Sequence, residues 1–188
     1  DGEAVGMFSI ADPVRPTSRS AVENLQRSGI EVIMLTGDNG ATAQAVAMQV
    51  GISRYVAGML PEDKVEMVNR LKREGRSVGM VGDGINDAPA LAAADVSFAV
   101  GAGSDAAIQA ADITLMRSDL ISVVDAIHLS RATLRKIRQN LFFAFFYNVL
   151  GIPLAAIGLL NPVIAGAAMA LSSVSVIGNS LLLKNWRP

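Results

Sequence analysis

From Leu141 to Leu183 the chain carries no Asp, Glu, Lys or Arg, although these residues make up 18% of its 188 positions. About twenty predominantly apolar residues suffice to cross a bilayer core as a helix. The run holds two such stretches, Leu141 to Leu160 and Val163 to Leu183, separated only by Asn161-Pro162. The expectation is a transmembrane helix over 141–160, a tight turn at 161–162, a second transmembrane helix over 163–183 and a tail over 184–188. Arg131, Arg135, Lys136 and Arg138 precede the first span, and Lys184 and Arg187 follow the second. Basic flanks lie on the cytoplasmic side of membrane spans. Both ends of this segment are therefore expected in the cytoplasm, in a multi-pass membrane protein whose first partner is the lipid bilayer.

The rest of the chain is differently built. The formal net charge is −1, and the only local basic excess is the cluster just before the apolar run, without an aromatic-rich groove, so nucleic acid is not expected as a partner. Cysteine is absent, which excludes disulfides and thiolate zinc sites within these residues. The start, Asp1-Gly2-Glu3-Ala4-Val5-Gly6-Met7, has no basic leader and runs at once into a strand-like stretch, Val5 to Ile10. It reads as a segment of a longer polypeptide.

Strand and helix patterns alternate over residues 1–118, giving an α/β, Rossmann-like reading. Asp12-Pro13-Val14-Arg15-Pro16 is a rigid turn, because two prolines fix φ and remove donors. Thr17 or Ser18 can cap a helix whose stripe is Ala21, Val22 and Leu25. Glu31 to Leu35 is a strand that delivers Thr36-Gly37-Asp38-Asn39 ahead of a helix from about Gly40 to Val50. Open parallel sheets bind ligands outside the carboxyl ends of their strands. This loop can therefore cradle a phosphate, or be a plain turn with Asp38 or Asn39 as the helix cap. A short strand near Tyr55 to Ala57 leads to Pro61-Glu62-Asp63-Lys64, a normal helix start in which Lys64 reads most simply as solvated, with a phosphoryl contact as the alternative. The apolar strand Val78 to Val81 then presents Gly82-Asp83-Gly84-Ile85-Asn86-Asp87-Ala88-Pro89. Asp83 and Asp87 are hard oxygen ligands of the kind Mg²⁺ takes with phosphate and water, and Asn86 can donate to a phosphate without adding charge. Further strands are expected at Val96 to Val100 and Asp112 to Met116, with Gly101 to Ala106 as a tight strand-to-helix turn between them. A helix from about Leu120 to Gln139, within a connecting region at 119–140, should bury Ile121, Val124, Ile127 and Leu134. His128, the only histidine, reads as packing or surface.

Within the spans, Tyr147 and Asn148 lie at mid-depth, and Pro153 removes the donor that would have paired with the Val149 carbonyl. Met169, Ser172 and Ser173 share one helical face by their i, i+3, i+4 spacing. Packing alone can account for small and polar residues there. A thioether in a carboxylate-free span favours Cu(I) over harder cations.

Taken together, Asp12 to Pro16, Thr36-Gly37-Asp38, Pro61-Glu62-Asp63-Lys64, Gly82 to Pro89, Tyr147-Asn148 with Pro153, and Met169-Ala170-Leu171-Ser172-Ser173 resemble the carboxyl-terminal part of the heavy-metal P-type ATPases, of the copper(I)-exporting type. The resemblance implies part of a haloacid-dehalogenase-like phosphorylation domain followed by a transmembrane hairpin. It implies that Thr36 and Lys64 contact the phosphoryl group, with Gly37 and Asp38 in the same loop, that Asp83 holds Mg²⁺, and that Asn86 and Asp87 order phosphate and metal. It implies that Tyr147, Asn148, Met169 and Ser173 line a Cu(I) path, with Ser172 beside it. ATP would act through domains outside this segment, the partners being the rest of the pump polypeptide and a copper chaperone. The family's phosphorylated Asp-Lys-Thr-Gly-Thr motif does not occur in these residues, so the segment alone is expected to be inactive. The alternatives are a membrane-tethered phosphatase of the same superfamily and a zinc-type pump.

Overall fold

The computed structural model describes residues 13–101, 104–158 and 161–185. The expected strand over Val5 to Ile10 lies outside the described residues, as do Ala102 and Gly103 of the turn after Val100. The chain divides into two compact units, residues 1–124 and 125–188.

In the first unit helices and short strands alternate: α1 (Ser18–Arg27), β1 (Ile33–Leu35), α2 (Gly40–Val50), β2 (Arg54–Val56), α3 (Pro61–Arg73), β3 (Gly79–Gly82), α4 (Ala88–Ala93), β4 (Val96–Val100), α5 (Asp105–Ala110) and β5 (Ile113–Leu115). Every strand pair is parallel, β1 with β2 and, in a second sheet, β3-β4-β5 in that order. Parallel neighbours need helical crossovers, which is why apolar stripes of period 3.6 separate the strands. α3 buries Met67, Val68 and Leu71, and the core joins Val68 and Met80 to Ala90, Leu91 and Ala107. Ala90 and Ala107 are fully buried, and their small size lets α4 and α5 approach the sheet closely.

Two capping patterns fall where the residues direct them. Asn39 accepts from the Thr42 N–H at 3.0 Å and so starts α2, while Gly51 ends it with φ 79°. Thr17 stands before α1, but its hydroxyl does not cap that helix. It donates instead to Asp119 Oδ1 at 2.7 Å, across 102 residues. The same carboxylate oxygen accepts from the Ile121 N–H at 3.1 Å, fixing the first turn of the next helix. That double use explains why Asp119 is held below the ordinary carboxylate range, first by the Thr17 hydroxyl and then by the Ile121 amide.

α6 (Ile121–Ala156) and α7 (Pro162–Leu181) are both long and apolar enough to cross a membrane. α6 is one continuous helix through Pro153, so the connecting helix and first span expected as separate pieces are a single element. Ser122, Val123 and Val124 are its buried residues, whereas Leu134, expected on the buried side, is exposed. The turn between the helices is also longer than Asn161-Pro162. α6 stops at Ala156, Gly158 adopts φ 73°, and Asn161 accepts from the Val163 N–H to start α7 with Pro162 at its first turn. Within the second unit, Lys136 donates to Asn179, Asn179 to Asn140 and Asn140 to Ser180, joining the two helices at one end.

Candidate functional site

The loops that leave the carboxyl ends of the strands are sewn to one another. Thr36 N–H donates to the Val56 carbonyl, Met59 N–H to the Thr36 carbonyl and Gly58 N–H to the Asp38 carbonyl. The loop after β1 thereby fixes the residues that lead into α3. Asp63 reaches back to accept from the Leu60 N–H at 2.8 Å, which starts α3 one turn before Lys64 projects from it.

Lys64 is not the solvated residue that its position in a charged first turn suggests. Its ammonium donates to Asp87 Oδ1 at 2.7 Å, with side-chain exposures of 16% and 13%. Helix α3 packs against α4, and Asp87 leads directly into α4, so the pair closes where these elements meet. Gly82 makes this geometry possible: a Cβ there would lie 2.7 Å from the Asp87 Cβ and 3.1 Å from its Cγ. Gly101 is constrained more rigidly, since its Cβ would meet the carbonyl oxygens of Leu115 and Met116 at 2.4 and 2.6 Å.

Asp83 and Asp87 share a cleft of about 360 Å³ with Val14, Arg15, Ser18, Val81, Gly82, Val100, Ser118 and Leu120. The Asp83 carbonyl is held by the Ser104 N–H at 2.9 Å, and its carboxylate is exposed. One or two carboxylates, completed by water and phosphate oxygens, form the usual donor set of Mg²⁺, and these two acids fit it. No group of three or more potential metal-ligating His, Cys, Asp or Glu side chains occurs among the described residues, so a fuller protein cage is not built here.

Thr36 and Asp38 bond each other: the hydroxyl donates to Asp38 Oδ2 at 2.8 Å and accepts from the Asp38 N–H at 3.1 Å. Gly37 lies exposed between them, and Asn86 is exposed in the loop after β3. The structure thus brings Lys64 to Asp87 and Asp83 to the same cleft as Asp87, while Thr36 and Asp38 form their own turn. Arg15 and Ser18 also line the cleft, whereas the sequence marks Arg15 only as part of the Asp12 to Pro16 turn and Ser18 only as a candidate helix cap. The usable signal was Arg15, a cation held between two prolines, which a reading of the segment as a rigid turn passes over.

In the second unit Asn148 and Ser173 bond to their own helices. Asn148 Nδ2 donates to the Ala144 carbonyl at 2.8 Å and Ser173 Oγ to the Met169 carbonyl at 3.2 Å. Met169 is 73% exposed, Ser172 is half-buried, and Tyr147 stacks edge-on against Phe146 at 6.2 Å. These residues lie on both helices of the pair without a direct bond between them among the described contacts.

Residues 1–95 match the family model described as haloacid dehalogenase-like hydrolase, and residues 65–127 match a second model of the same description. Over 184 residues the chain is 56% identical to a copper-exporting P-type ATPase of Bacillus subtilis (strain 168), covering 98% of this chain and 23% of that protein. A copper-exporting P-type ATPase of Staphylococcus aureus (strain MRSA252) is 55% identical over 182 residues, again covering 23% of the relative. A crystal structure of a zinc-transporting PIB-type ATPase in its E2.Pi state is similar with TM-score 0.84 and 38% identity, over 92% of this chain and 28% of that one. The chain therefore spans 23% of the length of the curated relatives it matches.

Proposed function

Because the chain belongs to the haloacid dehalogenase-like hydrolase family, we propose that it is the portion of an ATP-driven Cu(I)-exporting P-type pump that orders a phosphoryl group and forms part of the intramembrane copper path. The observation that carries this reading is the Lys64–Asp87 pair beside Asp83 on the same chain as two membrane-length helices without a charged residue from Leu141 to Leu181. A tethered phosphatase needs the first feature and would use the second only as an anchor, without polar groups along it.

The protein's contribution to phosphoryl transfer is mainly positioning and charge stabilisation. Asp87 holds the Lys64 ammonium at the loop rim, where it offsets negative charge on a phosphoryl oxygen. Thr36, locked by Asp38, presents its loop at the carboxyl end of β1, and Asn86 adds a neutral donor. Asp83 and Asp87 would hold Mg²⁺, which supplies further neutralisation of phosphate charge. In the membrane, the Met169 thioether with Tyr147, Asn148, Ser172 and Ser173 offers Cu(I) a soft, uncharged route. The partners are the remaining domains of the pump, which supply ATP binding and the phosphorylated aspartate, together with a copper chaperone and the bilayer. Both ends of the segment face the cytoplasm, as the flanking cations favour.

Zinc transport is the second reading, favoured by the 0.84 TM-score to a zinc-transporting ATPase. The carboxylate-free spans weigh against it, since a divalent ion in a bilayer needs charge compensation. Met169→Ala in the full-length polypeptide should abolish copper-stimulated ATP hydrolysis and transport. Unchanged copper turnover would sink the ligand assignment, and zinc-stimulated turnover in its place would support the second reading. The 188-residue chain alone should release no phosphate from small phosphomonoesters, and release would favour a tethered phosphatase.

A further inference from the structure

We propose that the end of the α6–α7 pair holding Lys136, Asn140, Asn179 and Ser180 is a binding site for the phosphodiester headgroup of an anionic phospholipid. The proposal rests on the reading that α6 and α7 cross a bilayer, and it is independent of which metal is carried.

Donors and acceptors in this cluster do not balance. Lys136 Nζ donates to Asn179 Oδ1 at 2.7 Å, Asn179 Nδ2 to Asn140 Oδ1 at 2.8 Å, and Asn140 Nδ2 to Ser180 Oγ at 2.8 Å. An ammonium has three donors, an amide two and a hydroxyl one. Each acceptor oxygen in the chain of bonds has therefore received a donor, while two ammonium N–H groups, one N–H on each amide and the Ser180 hydroxyl remain to be given. Among the described contacts no carboxylate takes them. Asp125 is the only acidic residue from 125 to 188, and it lies three turns of helix before Lys136.

What remains is a positive charge surrounded by unspent donors, half-buried between two helices. Its complement is an anion with several acceptor oxygens. The position selects the source: Leu141, the residue after Asn140, opens the uncharged run, so the cluster sits at the level where hydrocarbon gives way to headgroups. Arg131, Arg135 and Arg138 add positive charge to the same stretch of α6 but point away from Lys136 around the helix. The carbonyls that end α7 favour a cation beside them, which keeps the Lys136 ammonium in place.

The test uses the full-length polypeptide that carries this chain, purified in detergent and titrated with phosphatidylglycerol or phosphatidylcholine, with retained lipid counted by native mass spectrometry. Wild type should retain phosphatidylglycerol in preference to phosphatidylcholine. Lys136→Gln, which keeps an amide donor for Asn179 but no charge, should weaken that retention about fivefold. Ser180→Ala should weaken it by a smaller factor, and Arg131→Gln should change it less than twofold. Equal losses for Arg131→Gln and Lys136→Gln, or no preference in wild type, would overturn the site. Full competition by millimolar inorganic phosphate would assign the cluster to a soluble anion and overturn it as well. Insertion into phosphatidylcholine bilayers is measured beside this. Failure to insert would overturn the membrane reading itself, whereas insertion without lipid preference refutes the headgroup site alone.

Discussion

Replacing Lys64 by Met tests whether the rim of the cleft is held by charge. The Lys64 and Asp87 side chains are 16% and 13% exposed and meet at 2.7 Å. At an effective dielectric of about 20, unit charges at that separation attract by about 6 kcal/mol before desolvation is counted. Met fills most of the lysine volume but leaves the Asp87 carboxylate shielded from water with no cation. Stranding one member of a buried pair costs about 3–5 kcal/mol, and the residual exposure here places the expected loss at the low end, about 3 kcal/mol. Asp87→Asn should cost less, because the amide oxygen still accepts from the ammonium. The double variant Lys64→Met/Asp87→Leu should recover part of the loss, since neither charge is then stranded. Native-state hydrogen exchange of the full chain in micelles reads this directly at Met80 and Ala99, core residues of β3 and β4. A loss of about 3 kcal/mol lowers their protection by roughly two orders of magnitude. Protection unchanged within threefold in Lys64→Met would refute the reasoning, because it would mean that water screens the pair as it does on an open surface.

Gly101→Ala should destabilise the first unit by at least about 2 kcal/mol, because the added carbon meets backbone carbonyls that cannot rotate away, and urea midpoints check this. Gly82→Ala puts a carbon 2.7 Å from the Asp87 Cβ, which moves only with its backbone, so it should lower stability by about 2 kcal/mol as well as disturb the Lys64–Asp87 pair; an unchanged urea midpoint would contradict this. Asn39→Ala removes the cap on α2 and should cost about 1 kcal/mol by the same urea assay. Asp119, Asp112 and Asp95 are held below their ordinary 3.8 by, respectively, the Thr17 hydroxyl, the Ser97 hydroxyl and the Val78 amide. Glu31 is held below 4.5, first by Arg54 and then by Arg76. Their stabilisation is fully present above those ordinary values and is lost as pH falls toward the lower folded ones. Stability measured from pH 6 down to pH 3 should therefore fall at the acid end, and Asp119→Asn should flatten part of that slope.

The order and type of the described elements follow closely from periodicity and caps. Asn39 and Gly51 bracket α2 at the expected residues, and Val96 to Val100 is a strand as its apolar run implies. Two of the departures, at Lys64 and Thr17, originate in contacts distant along the chain. Nothing local to Pro61-Glu62-Asp63-Lys64 says that the ammonium turns inward, because the reason is Asp87, which sits beside a glycine that leaves room for it. Thr17 reads as a helix cap because its partner stands far downstream. Asn148 and Ser173, which the resemblance places along a Cu(I) path, each also bond the carbonyl four residues back that a helix always supplies. The hairpin turn was read too short because Gly158 can end α6 with positive φ before the Asn-Pro signal is reached.

The Thr17–Asp119 bond also sets a schedule. Closing a loop of 102 residues costs about 4 kcal/mol in chain entropy beyond a constant, more than one charge-assisted hydrogen bond returns. The bond can therefore form only after the intervening strands and helices have already brought its ends together. At about 5–20 residues per second, a ribosome takes roughly 5 to 20 seconds to pass from Thr17 to Asp119. Throughout that interval α1 waits without its long-range tie. The tie arrives only as the residue that starts α6 emerges, so completion of the first unit and launch of the membrane-length helix coincide during synthesis.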